Sequence, residues 1–304
     1  MPELPDVAVY VESLVARVQG RELLGVRVAS PFVVRTFDPP LKSAVGRRIV
    51  EVRRLGKRIV FELSDGLFLV IHLMIAGRFK WLAPGAKLPG KLGLAAFDFE
   101  NGTLALTEAA SKKRASIHLA RALDEFRRGG VEPLEVSFEQ FDAALRGENH
   151  TLKRSLTDPR LFSGIGNAYS DEILHRAKLS PAQLTRKLPA ADARRLYEAT
   201  RAILIEWTDR LRAEAGAKFP EKVTAFRKEM AVHGKFRQPC PVCGTSVQRI
   251  AYADNETNYC PRCQTGGKLL SDRSLARLLH DDWPRTIEEL EEKARAGVSG
   301  RDKT

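Results

Sequence analysis

The chain has no cysteine outside one short stretch, no long apolar run, and too few acids to balance its bases. The first absence excludes the dispersed disulfide framework of a small secreted domain. The second excludes a membrane span. No stretch of about 18 apolar residues and no signal-peptide core occurs in the sequence; the first apolar segment, VAVYVESLVARV, is broken by Glu12 and Arg17. The expected location is therefore cytoplasmic and nucleoid-associated, with no membrane partner. The third absence is a matter of charge. Lys and Arg number 50 against 38 Asp and Glu, a net charge of +12. Such an excess is unusual for an enzyme of small metabolites. It suits a polyanion whose phosphates Lys and Arg neutralise as counterions leave.

What is present begins with those cysteines. In 304 residues, 43% of them hydrophobic, there is enough chain for two domains or more. The four cysteines read CPVCG…NYCPRCQ, placing Cys240, Cys243, Cys260 and Cys263 as two CxxC pairs. Two knuckles so spaced converge four thiolates into the tetrahedron that Zn²⁺ prefers, with all four positions closed and no place for metal chemistry. Two redox pairs or two disulfides are the alternatives. A single structural Zn²⁺ is the expectation, and the module is small enough that metal binding should supply its folding energy. Between the pairs, two short strands should meet at a turn at Asp254-Asn255.

Two further stretches carry chemistry. The chain opens MPELPD, and removal of Met1 would leave a secondary amine on Pro2 beside Glu3. An α-amino group titrates near ~8, against ~10.4 for a Lys side chain, so much of it is neutral at physiological pH. By itself the pattern is equally that of any chain whose second residue permits removal of the initiator. Farther on, LKRSLTDPRLFSGIGNAYSDEILHRAKLSP reads as helix, glycine loop, helix. A helix starting after GIGN would aim its N–H groups and the Asn167 amide at an anion, with Lys153, Arg154, Arg160, His175 and Arg176 in support. The alternative is a helical hairpin whose glycines only make the turn.

MPELPD, LGK at 55–57, IHL at 71–73, SGIGNAYSDEIL and the closing CxxC…YCPRCQ, in this order, resemble the formamidopyrimidine-DNA glycosylase/endonuclease VIII family over residues 1–264. The resemblance implies an α+β multidomain fold. Residues 1–130 would be an N-terminal β-sandwich catalytic domain and 131–235 a helical domain with a helix–two-turn–helix. A four-Cys zinc finger would span 236–266, a C-terminal extension 267–304, and DNA would lie in the cleft. The coarse pattern agrees. RRIVEVRRL, KRIVFELSDGLFLVIHL and GRFKWL alternate as strands with SDG as a hairpin turn, and LGLAAFDFENGTLALTE is a second hairpin. From about residue 135 helical periodicity takes over.

The implied activity is base-excision repair: removal of oxidised bases, then AP lyase strand cleavage by β,δ-elimination through a Schiff base on the N-terminal proline. The implied partner is damaged DNA, double- or single-stranded, met by a monomer. By position, Pro2 matches the nucleophile, Glu3 the acid that protonates the sugar ring oxygen, and Lys57 a hairpin lysine on the flanking phosphates. His72 and Asn167 match phosphate ligands. Met74, with Ile75, and Arg114, in the basic loop SKKRAS, match residues that fill the hole left by a flipped base. Four departures stand out. Asp6 occupies the place of a supporting Glu. The basic loop lacks the family's Phe. Asn255 stands where many members carry a finger Arg, losing a charge and a bidentate fork. The lesion-reading segment near 216–234 is short. The lesion itself, purine or pyrimidine, is therefore not assigned. Past the finger, Gly266-Gly267 reads as a hinge, residues 268–283 as an amphipathic helix and the charged end as frayed. The rival reading is a non-catalytic, structure-specific DNA-binding protein on the same scaffold, which has no use for Pro2, Glu3 and Lys57 together.

Overall fold

The structure is a computed structural model that describes residues 1–221, 223, 227–252, 255–270 and 284–299. Asp254 and most of the helix expected over 268–283, including Leu275, Leu278 and Leu279, lie outside the described residues. The chain forms two compact units, Met1–Gly130 with Leu204–Ala225, and Val131–Ile203 with Phe226–Thr304.

The first unit is a β-sandwich with one helix. Helix α1 spans Leu4–Val18. One antiparallel sheet runs β1 (Gly25–Val28), β6 (Gly93–Phe99), β7 (Gly102–Glu108), β5 (Gly77–Leu82). The other runs β2 (Ile49–Leu55), β3 (Arg58–Leu63), β4 (Phe68–His72), β8 (Ser116–Ala120). Alternation on each strand builds the filling. Ile59, Phe61, Leu69, Ile71, Ile117 and Leu119 meet Phe79, Phe97, Leu104 and Leu106 in one core, together with Val7, Tyr10, Leu14 and Val18 from α1. The intervening Val60 and Val70 face the other way, into a second cluster with Ala120, Leu123 and Phe126. Apolar residues on both faces explain why β3 and β4 read as unbroken runs.

Two turns depend on their residues. Asp65 and Gly66, in the SDG connection, both adopt positive φ (67° and 74°), which glycine takes freely and aspartate tolerates. At Gly102 a Cβ would come 2.4 Å from the Trp81 indole, so a side chain is excluded by space. Residues 204–225, expected within the helical stretch 131–235, group with the sandwich. The reason is packing: Val223 joins its core, and Phe219 lies 5.7 Å from Tyr10 and 6.3 Å from Trp81.

The second unit is helical and carries a small hairpin. Helix α2 (Phe138–Arg146) starts at a capping box made by Ser137 and Gln140, and α3 (Leu152–Thr157) is capped by Thr151. After the glycine loop comes α4 (Asn167–Arg176), and then α5 (Ala190–Ala215), whose residues from Leu204 onward group with the first unit. Strands β9 (Gln248–Ala251) and β10 (Glu256–Tyr259) pair antiparallel and lead into α6 (Pro261–Thr265). Gly266 and Gly267, expected as a hinge, instead close α6. Both are left-handed (φ 60° and 90°), and the Gly267 N–H donates to Pro261 O at 3.0 Å. The described residues close with a helix, α7 (Ile287–Ser299), and the charged residues after it, expected to fray, lie outside the described residues. The start of α7 is stabilised by Thr286 Oγ1, which accepts the Glu289 N–H, and by Glu289 Oε2, which accepts the Arg285 N–H at 2.7 Å.

Candidate active site

The N-terminal residues are held rigid by the helix they begin. Pro2 is buried, Glu3 is the N-cap of α1, and both Glu3 and Asp6 are only 2% exposed. The Glu3 N–H donates to Asp6 Oδ2 at 3.0 Å, so the Asp that replaces the expected Glu serves first as the helix's capping partner. The terminal amine, here on Met1, has its pKa lowered. Burial is the main cause, the positive charges of Arg78 and Lys57 add to it, and Glu3 and Asp6 oppose it. The structure thus brings Glu3, Asp6, Lys57 and Arg78 around one amine. Arg78 escaped the sequence reading. Its signal was a lone cation between Gly77 and the buried Phe79, on the face of β5 that alternation turns away from the core.

A cationic row lies across the outward face of the second sheet. Lys57 sits in the β2–β3 turn, allowed by Gly56 at φ 61°. Arg58 pairs in register with His72, and His72 with Ser116. Burial pushes the His72 imidazole down to about 3, with Arg58, Lys57, His118 and Arg128 adding to the effect. It is therefore neutral at physiological pH, a hydrogen-bonding group and not a cation.

Met74 and Ile75 form the tip between β4 and β5. Met74 is left-handed (φ 53°) and half-buried, whereas Ile75 is 52% exposed and is the more prominent apolar group. The tip closes where the Gly77 N–H donates to Leu73 O at 2.9 Å, and a Cβ on Gly77 would meet that oxygen at 2.2 Å. The basic loop is pinned by another residue missed in the sequence. Glu108, 1% exposed, accepts the Arg114 and Ala115 N–H groups with Oε2 at 2.9 and 3.1 Å, and Lys113 Nζ donates to its carbonyl. Arg114 itself points out, exposed.

In the second unit the glycine loop precedes α4 as expected, with Gly164 at φ 82°. Its flanking cations divide. Lys153 turns inward, where Nζ donates to Asn167 O (2.7 Å) and pairs with Asp171 Oδ1 (2.5 Å). Asp171 Oδ2 also lies 2.8 Å from His233 Nδ1. His175 is buried with Nε2 3.3 Å from Cys240 Sγ, and Arg160 pairs with Asp158 at 2.6 Å. Arg154 and Arg176 stay exposed. The Asn167 amide donates to Glu256 O in β10 at 2.9 Å, which ties the loop to the finger hairpin. Glu172 accepts the N–H groups of Ala231, Val232 and His233 at 2.8–2.9 Å; burial raises its pKa against those three bonds.

The four cysteine sulfurs lie within 4.8 Å of one another, with Cys243–Cys260 at 3.4 Å and Cys240–Cys263 at 4.0 Å. A tetrahedron with ~2.3 Å metal–sulfur bonds needs about 3.8 Å between sulfurs, so the set fits Zn²⁺. Asn255 is exposed at the hairpin tip, where the Tyr252 N–H donates to its carbonyl at 2.8 Å.

Comparison with known proteins accounts for this arrangement. Family models match at residues 1–120 (formamidopyrimidine-DNA glycosylase N-terminal domain), 130–210 (formamidopyrimidine-DNA glycosylase H2TH domain) and 237–266 (zinc finger found in FPG and IleRS). The chain belongs to the formamidopyrimidine-DNA glycosylase family. It is 33% identical over 273 residues to the formamidopyrimidine-DNA glycosylase of Solibacter usitatus, covering 87% of this chain and 99% of that protein. Among solved structures it resembles Lactococcus lactis Fpg in complex with abasic-site DNA (TM-score 0.77, 27% identity, 86% of this chain and 99% of that one). It equally resembles MutM in complex with DNA containing carbocyclic 8-oxo-G (TM-score 0.77, 27% identity, 87% and 100%).

Within that family the cysteines form the finger and hold one structural Zn²⁺. The metal takes no part in catalysis, since four thiolates leave it no open position. The finger does not stand alone in its unit. Cys240 and Cys260 share a cluster with Val232 and Val247, and Gln264 Nε2 donates to Leu179 O at 2.9 Å. The α+β fold class, with N-terminal sheets, a helical region and a four-cysteine finger, matches the expectation, and no described helix is long and apolar enough to cross a membrane.

Proposed function

We propose that this glycosylase excises oxidised bases and then cleaves the strand with the amine of Pro2, once Met1 has been removed. The observation that carries the proposal is the buried N-terminal amine, its basicity reduced, set beside the buried Glu3. A neutral secondary amine attacks C1′ of the damaged nucleotide as the base departs with its bonding electrons, and Glu3 delivers a proton to the opening sugar ring. The resulting iminium acidifies the proton at C2′. Loss of that proton expels the 3′ phosphate, and a second elimination expels the 5′ phosphate. Lys57, neutral His72 and Asn167 are assigned to the phosphates, Arg78 to depressing the amine's pKa, and Asp6 to holding Glu3. Met74, Ile75 and Arg114 are assigned to the space the flipped base leaves, and Asn255 to an uncharged backbone contact. With chromosomal DNA as substrate, the protein is placed in the cytoplasm at the nucleoid.

The test is borohydride trapping, which reduces the iminium to a stable protein–DNA adduct. Enzyme mixed with abasic-site DNA should yield an adduct mapping to the N-terminal peptide, and Glu3→Gln should slow base excision more than cleavage of a pre-formed abasic site. An adduct at Lys57, or trapping undiminished in Pro2→Gly, would reject the assignment. DNA binding with neither excision nor trapping would favour the non-catalytic reading.

A further inference from the structure

Two large aromatic side chains of the first unit stand almost wholly in solvent: Phe32 is 82% exposed and Phe37 88%. The segment that carries them is firmly anchored. Val33 between them is buried in the core at 3%. Val34 bridges Ile117 of β8, and the Arg35 N–H donates to Ile117 O at 2.9 Å. Thr36 Oγ1 lies 3.3 Å from His118 Nδ1, and Arg121 grips both oxygens of Asp38 at 3.1 Å. The rings are therefore presented on a fixed frame. A protein surface seldom displays two such rings on one short anchored segment without a partner for them.

The frame also places them. Through Ile117 the segment continues the sheet beyond β8, so it borders the same outward face that carries Arg58, His72 and His118. Arg35, exposed between the two rings, is close enough to His118 to help depress its pKa, after burial and together with Arg58. Two exposed aromatic rings five residues apart, with a guanidinium between them on a basic edge, have the chemistry that grips unpaired nucleotides. Bases of any identity stack on the rings and the phosphate meets the cation. A duplex keeps its bases stacked on one another and offers the rings nothing comparable.

We propose that Phe32, Arg35 and Phe37 form a stacking platform for single-stranded DNA, making unpaired DNA beside the lesion a preferred form of the substrate. The proposal rests on the reading of the Lys57–His72 face as the DNA-binding face. The test is fluorescence anisotropy with the full zinc-loaded chain. The probes are a labelled 20-nucleotide single strand with a central tetrahydrofuran abasic analogue and the same strand in a blunt duplex. Phe32→Ala with Phe37→Ala should raise the single-strand Kd about tenfold or more and the duplex Kd by less, because each stacked base is lost outright. The slope of log Kd against log salt should not change in that variant, while Arg35→Ala should reduce it by about 0.7. Phe32→Trp with Phe37→Trp should restore single-strand affinity, which separates stacking from loss of fold.

Equal or negligible weakening of both probes would overturn the platform. So would a concentration-dependent dimer that the alanine pair abolishes while both DNA affinities stand, since the rings would then serve a second copy. Borohydride trapping by the wild-type chain is scored separately. Its failure would reject the catalytic reading, whereas a selective loss of single-strand affinity would still support the platform.

Discussion

Asp171 makes the sharpest prediction about stability. Its side chain is 0% exposed and sits between Lys153, 12% exposed, and His233, 5% exposed, with oxygen–nitrogen distances of 2.5 and 2.8 Å. Asn258 Nδ2 approaches the same carboxylate at 3.5 Å, so one residue joins α3, α4, the segment at 233 and β10. Asp171→Ala takes the carboxylate from a buried ammonium, which keeps the neutral Asn167 carbonyl at 2.7 Å as an acceptor, and from the buried His233 ring. Removing one partner of a buried pair costs about 3–5 kcal/mol, because the survivor keeps its desolvation penalty. For a chain of this size that lowers Tm by roughly 10 °C. Asp171→Asn keeps an acceptor for His233 and should cost about half as much. The informative variant is Lys153→Met with Asp171→Leu. It removes both charges, and buried pairs replaced by apolar groups of similar volume are often near neutral. Urea unfolding followed by circular dichroism, at fixed saturating zinc, reads all of these. If Asp171→Ala falls within about 1 kcal/mol of wild type, or the double variant costs the sum of its singles, the buried-charge argument is wrong.

Three further outcomes are expected. Gly102→Ala should destabilise by about 1–3 kcal/mol, since the new Cβ collides with an indole held against Phe99 and Phe219; Trp81→Leu should relieve it, and an unchanged urea midpoint would contradict the clash. His72, held at about 3, gains no proton in the native state as pH falls from 6.5, whereas the unfolded chain does, so stability should decline between pH 6.5 and 3. His72→Gln should flatten that part of the profile, and an unaltered slope would show that another group is responsible. Arg78→Ala removes a cation that helps strip the proton from the terminal amine, so the pH profile of trapping should shift upward, with less adduct at pH 7 and recovery at higher pH; a profile that does not move would separate Arg78 from the amine.

The parts legible in the sequence are those fixed by local pattern. Apolar β-branched runs give β3 and β4, and SDG gives the hairpin between them because positive φ at Asp65 and Gly66 is a residue property. Paired CxxC spacing gives the finger. What escaped depends on direction. Lys153 and His175 stood as flanking cations in support of an anion at the glycine loop. Helix rotation instead aims one at Asp171 and the other at Cys240. Spacing says that a charged residue is near a loop, not which way it faces. Arg78 was lost for the converse reason, since its neighbour Phe79 marks a buried strand and only the register of β5 on β7 turns the arginine to the opposite face. The start of α7 was readable: Thr286 with Glu289 three residues on is a capping signature in a highly charged stretch.

Charge and position both favour the chain's end over Lys57 as the proposed nucleophile. Both amines stand near the lesion in the proposed mechanism. An α-amino group with its ordinary pKa of ~8 is about one-fifth neutral at pH 7.4, whereas a lysine at ~10.4 is neutral to about one part in a thousand. In the structure the terminal amine, on Met1, is lowered chiefly by burial, and the positive charge of Lys57 adds to the effect. Position adds to this. Lys57 ends a flexible side chain in a turn, where a mobile cation can follow phosphates through a reaction. Pro2 lies one residue from the N-cap of a helix whose Val7, Tyr10, Leu14 and Val18 are locked in the core. Its ring removes the remaining backbone freedom, so little motion has to be lost when a C–N bond forms. Charge and rigidity assign the same two roles.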